Sequence, residues 1–164
     1  MIVNRPVLNI PKTKMEICHD ILAIVILIAS FAYAAWSWTS LPEKFPSHFD
    51  MSGNPNGWSG KGSLLLLPIL NVVLYVGLTL LRRIPHHFNY IKEITVDNAY
   101  RQYTIALMMV SWIKIIIVAL FGYLEWDIIY AAFGNQPRFG LLVILLIALF
   151  GAMAYYIAQS TKKA

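Results

Sequence analysis

Two groups of residues in this chain have types and spacing that could do chemistry. The first lies in a polar stretch, 39–62, where His48 and Asp50 stand two positions apart and Asn56, Trp58 and Lys61 follow. An imidazole beside a carboxylate suits acid–base work or metal ligation. Asp50, Ser52, Asn54 and Asn56 fall at positions 1, 3, 5 and 7 of a calcium loop. Such a loop needs Gly at position 6 and Glu at position 12, where Pro55 and Lys61 stand. Zinc asks for three or four ligands, and His48 with Asp50 supply two. Gly60-Lys61-Gly62 departs from a phosphate-binding loop, with Pro55 at its first Gly and Gly62 at its hydroxyl position. The simpler expectation is that Asp50 caps a turn, His48 bonds loop backbone and Lys61 anchors at an interface. The second group is Lys114 with Asn71, a cation and an amide inside long apolar runs.

No set of side chains for nucleophilic catalysis stands out, and no metal or cofactor is expected. Cys18 has no second cysteine to pair with, and His86-His87 are two adjacent ligands at most. Glu125 and Asp127 read as ordinary solvated carboxylates at a helix end.

The elements that must position these groups follow from composition. Of 164 residues, 59% are hydrophobic and 13% charged, against roughly 45–50% and 25% in soluble domains. That balance excludes a soluble globular domain, a disordered chain and a disulfide scaffold. Four apolar stretches, 17–38, 63–81, 103–124 and 139–158, match the roughly 20 residues that cross a bilayer. The expected fold class is all-α, an integral membrane four-helix bundle occupying 17–158, with a structured extracytoplasmic loop between helices 1 and 2. An N-terminal segment, 1–16, a loop, 82–102, and a tail, 159–164, would lie in the cytoplasm. Ala32-Tyr33-Ala34 also permits a cleavable signal peptide, but the apolar run continues past it.

Orientation comes from Lys and Arg. Arg5, Lys12, Lys14, Arg82, Arg83, Lys92, Arg101, Lys162 and Lys163 fall on one side, and Lys44, Lys61 and Arg138 on the other. Basic flanks stay inside, so both termini are expected in the cytoplasm of a bacterial plasma-membrane protein, with Trp36, Trp38 and Trp126 at the outer boundary. The basic residues punctuate apolar runs and form no face for nucleic acid. Segment 82–102 reads either as an amphipathic helix on anionic lipid or as an extension of the third span. Counted from Tyr103, Lys114 would lie about 16 Å deep, near the midplane. Asn71 is then at similar depth and is its expected partner, with snorkelling as the alternative.

The stretch between the first two spans holds three Pro, several Gly and turn-forming Asp, Asn and Ser among Phe45, Phe49 and Trp58, a composition for a compact loop. Here the chain resembles a largely uncharacterised bacterial membrane family whose domain also forms the front part of Sdp-type toxin-immunity proteins. Leu41, Pro42, Pro46, His48, Phe49, Asp50, Gly53, Gly57, Trp58, Gly60 and Lys61 match that family's loop in order and spacing, with Asn56 in place of the usual Asp. Pro85 with Asn89-Tyr90 looks like a loose version of a second family feature. The resemblance implies a membrane domain whose relatives bind an extracellular peptide toxin and in some cases hold a cytoplasmic repressor.

The expected function is therefore non-enzymatic immunity or sensing, with His48, Asp50, Asn56, Trp58 and Lys61 as the ligand-binding set. The expected partners are the lipid bilayer, an extracellular peptide, a cytoplasmic regulator and, as an option, a second copy of the chain. Two other readings stay open. One is a small transport subunit using Lys114 and Asn71, the other an envelope enzyme acting on a lipid headgroup through His48 and Asp50.

Overall fold

The structure is a computed structural model that describes residues 5–50 and 52–162. It is mostly helical, with four long helices: α1 (Lys14–Ser37), α2 (Leu66–Leu81), α3 (Val96–Ala132) and α4 (Phe139–Thr161). All four are long and apolar enough to cross a membrane, α2 together with the 3-10 turn Lys61–Leu65 that leads into it. The side chains of Ile21, Ile28, Val73, Ile144, Ile147 and Phe150 are exposed on their surfaces, as a hydrocarbon surrounding requires.

Two helices begin earlier than hydropathy alone suggests. At α1, Thr13 Oγ1 accepts from the Glu16 backbone N–H at 3.2 Å, and the Glu16 carboxylate accepts from the Thr13 N–H at 2.8 Å. This reciprocal cap sets the start at Lys14, three residues before the apolar run. At α3, the Thr95 N–H donates to Asn98 Oδ1 at 3.0 Å, and the helix runs for 37 residues. Of the two expectations for 82–102, its last residues are thus an extension of the third helix.

Helix α3 is the hub, with α1, α2 and α4 each packed along it. Three clusters of buried side chains mark that packing. In the middle, Ala23 and Leu27 of α1 meet Ile115, Ile116 and Val118 of α3. At one end, Ile10 and Ile94 cover Ala99, Tyr103 and Leu107. Arg5 donates there to the carbonyls of His86 and Phe88, and Tyr103 Oη donates to Pro6 O. Arg101 and Lys92 donate to Lys162 O at the same end. Residues 5–13, the α2–α3 connection and the end of α4 therefore share one end of the molecule.

At the opposite end the α1–α2 connection is not helical. It forms an antiparallel hairpin of β1 (Lys44–Phe49) and β2 (Pro55–Gly60), paired from Lys44 with Gly60 to Phe49 with Pro55. The all-α expectation is corrected to this extent. The register shifts on either side of His48, next to Pro46, which has no N–H to give a ladder. Phe45 is the hairpin's foot: 1% exposed, it packs among Ala34, Leu41, Leu64 and Ile129. Burying one such ring contributes about 2–3 kcal/mol and ties the hairpin to α1 and α3.

Candidate functional site

The hairpin's polar residues are largely engaged in holding its shape. Asp50 Oδ1 accepts from the backbone N–H groups of Ser52 and Asn54, each at 2.8 Å, and Oδ2 accepts from the Asn54 side chain at 3.2 Å. The Asn54 backbone N–H and its neighbours hold the Asp50 carboxyl below the usual aspartate range. Gly53 at the tip has φ +83°, a conformation costly for any residue with a Cβ. His48 Nδ1 bonds Asn56 Oδ1 across the strands, and Ser47 bonds Ser59 at 2.6 Å. A Cβ on Gly57 would stand 2.8 Å from the His48 Cβ, so the strands close only because residue 57 is glycine.

Lys61 lies beneath the hairpin, with its amine 5.8 Å from the centre of the Trp38 ring and 4.0 Å from the Glu43 carboxylate. That is an anchoring arrangement. Trp58 differs from the rest of the set. It is 64% exposed and borders a recess of about 390 Å³ between the hairpin and the α3–α4 turn, with Pro46, Phe49, Pro55 and Pro137 in its walls. Of the five loop residues singled out by sequence, four are held within the hairpin or at its foot, and Trp58 alone presents a large free side chain.

The expected pair of Lys114 and Asn71 is corrected. Lys114 donates to Asp20 Oδ1 of α1 and to Thr79 Oγ1 of α2 at 3.2 Å, with its amine 5.2 Å from the centre of the Tyr75 ring. Asn71 instead donates to the Val118 carbonyl at 3.1 Å. Side chains on a helix lean toward its N-terminus, so Lys114 reaches toward the start of α3 and the level of Thr79. Asn71 lies eight residues from Thr79, about 12 Å farther along α2. Thr79 stands two residues from the end of α2 and Asp20 six from the start of α1. The amine is therefore within about 9 Å of the ends of α1 and α2.

A network that sequence reasoning missed surrounds Lys114. Lys12 pairs with Asp20 at 2.6 Å, Arg82 with Glu16 at 2.9 Å, and Arg82 also donates to Ile10 O at 3.1 Å. His19 Nδ1 bonds Ser111 Oγ at 2.9 Å, and its ring meets Trp112 edge-on. The cavity among these charges is about 10 Å³, room for one water at most. A signal was present: Glu16 and Asp20 stand four residues apart, on one face of α1, and Lys12 lies just ahead of the helix cap. Asp20 and His19 also lay inside the expected first span, where ionisable residues ask for partners just as Lys114 did.

The carboxylates near the end of α3 are not solvated, which corrects the helix-end expectation. Asp127 is 8% exposed and accepts from the Arg138 backbone N–H at 2.9 Å, closing the α3–α4 turn. Glu125 is 1% exposed and accepts a hydrogen bond from Ser30 of α1.

A family described as a domain of unknown function, DUF1648, matches residues 25–72, which span the second half of α1, the hairpin and the first part of α2. No curated protein and no solved structure matches the chain. By that match this segment is similar to an uncharacterised membrane domain family, and it contains the hairpin and Asn71 but neither Lys114 nor Glu125.

Proposed function

We propose that this chain is a non-enzymatic receptor of the bacterial plasma membrane. Its four spans form a bundle around α3 with both termini in the cytoplasm, and the outer hairpin recognises an extracytoplasmic peptide. The observation that carries this reading is Trp58: a large aromatic side chain left free on a braced hairpin, beside a recess walled by proline and aromatic rings. Rigid aromatics at the centre of a concave apolar surface dominate peptide and protein recognition. Asp50, His48 and Asn56 act here as the frame that holds Trp58 in place. Protection against a membrane-active peptide is the natural outcome of such capture, and the structured opposite end, with Arg5, Tyr90 and Lys92, is where a cytoplasmic regulator would dock. Transport through Lys114 is disfavoured by the closed network around it.

The test uses cells of a peptide-sensitive bacterium expressing the chain and challenged with a panel of membrane-active antibacterial peptides. At least one should be tolerated better than by cells without the chain. Purified protein in nanodiscs should bind that peptide, and Trp58→Ala should weaken binding by about tenfold or more. Trp36→Ala, at an exposed position on α1, should leave it unchanged. Equal loss in both variants would make Trp58 an interfacial anchor, and absence of protection across the panel would overturn the receptor reading.

A further inference from the structure

Glu125 is a buried carboxyl, 1% exposed, with one oxygen left unpartnered. Its Oε2 accepts from Ser30, while its Oε1, fully enclosed, has no hydrogen-bond partner. None of the ion pairs among the described residues includes it. Ser30 and Glu125 each stand seven residues from the hairpin-facing ends of α1 and α3, about 10 Å inside. A buried carboxylate there is costly unless a positive group accompanies it.

Beside Glu125 lies a cavity of about 290 Å³ between α1 and α3. Small residues, Ala29, Ala119 and Gly122, line it, and α1 and α3 approach closely at Gly122, where an added Cβ would meet Ile26 at 3.0 Å. The remaining wall is aromatic, with Tyr33, Tyr123 and Trp126. Tyr123 and Trp126 stack with ring centres 5.7 Å apart. Arg138 is the nearby cation on this stack: its guanidinium lies over Trp126 at 5.9 Å and Tyr130 at 4.8 Å and donates to Tyr130 Oη. It makes no ion pair with Glu125.

We propose that Glu125 and this cavity bind a small organic cation, an alkylammonium group. A carboxylate supplies the counter-charge, and aromatic faces attract an ammonium whose methyl or methylene groups they also cover. The volume is near the lower end of ligand pockets, roughly 300–1,000 Å³, and fits a single headgroup-sized amine. The amine can come from a soluble compound or from the headgroup of a neighbouring lipid. The site is independent of the hairpin recess, so either can fail alone.

The probe is tetramethylammonium chloride, with sodium chloride at equal ionic strength as the control. Purified protein in phosphatidylglycerol nanodiscs should gain about 5–10 °C in Tm when the ammonium salt is at roughly a hundred times its Kd. Glu125→Gln should lose that gain. Ala119→Leu, which fills the cavity but keeps the carboxyl, should lose it too and serves if Glu125→Gln does not fold. Adding phosphatidylethanolamine should abolish the gain if a lipid headgroup is the occupant and leave it if a soluble amine is. No gain over sodium chloride in phosphatidylglycerol, or an equal gain in Glu125→Gln, would overturn the proposal and leave Glu125 as a structural partner of Ser30.

Discussion

Lys114 carries a charge on a helix otherwise dominated by apolar residues, and groups from two other helices converge on it. Asp20 supplies the counter-charge and Thr79 a hydroxyl, while Lys12 holds the other oxygen of Asp20. Breaking a buried pair from one side leaves the other charge stranded at about 3–5 kcal/mol. Asp20→Leu should approach that figure, because it leaves two lysines unpaired. Lys114→Leu should cost less, since Asp20 keeps Lys12, and the double variant should recover most of the Asp20→Leu loss. Asn71 belongs to a different joint, the α2–α3 contact at Val118. Asn71→Leu should cost about 1 kcal/mol and add to Lys114→Leu within about 0.5 kcal/mol. Unfolding of each single and double variant in detergent measures these values, and strong coupling between Asn71 and Lys114 would contradict their separate placement.

The hairpin is an element whose order depends on a few backbone requirements. Its tip is held by Asp50 and by Gly53 at positive φ, its middle by the close approach of Gly57 to His48, and its foot by Phe45. Gly57→Val places a Cβ where the His48 Cβ already stands, so the strands must separate. The expected loss is about 1–3 kcal/mol, in the range of overpacking. Gly62→Ala is the control, because nothing lies within 4 Å of the added Cβ. Its effect should stay within about 0.5 kcal/mol. Thermal unfolding in detergent compares the two, and equal effects would mean that the strands are not clamped at Gly57.

At the scale of the whole molecule, α3 is the common partner of the other three helices, and the two ends have different characters. One gathers residues 5–13, the α2–α3 connection and the end of α4 around Tyr103, and the other carries the hairpin and the α3–α4 turn. Together with the nine-to-three excess of Lys and Arg, this division places the hairpin outside the cell in the proposed topology. Ser52 and Thr95 are exposed at opposite ends. In a Cys18→Ser background, Ser52→Cys should react with a membrane-impermeant maleimide in intact cells, while Thr95→Cys should react only after permeabilisation. The reverse pattern would invert the molecule in the membrane.

Four long apolar helices and a compact segment between the first two were legible from residue types alone. Burial in lipid demands about 20 apolar residues per helix, and turns demand Pro, Gly and Asp. The Thr13–Glu16 cap was equally visible in its spacing, and hydropathy passed over it because a cap is polar. That the compact segment is a hairpin depended on Phe45 finding a pocket between α1 and α3, which no local pattern encodes. Partner choice inside the membrane was least legible. Depth counted along one helix ignores how far its neighbours are displaced along their own axes, so Asn71 looked level with Lys114 when Thr79 and Asp20 were. Glu125 looked solvated because it stands near the end of an apolar run. Only the packing of α1 against α3 puts Ser30 beside it and closes it off from water.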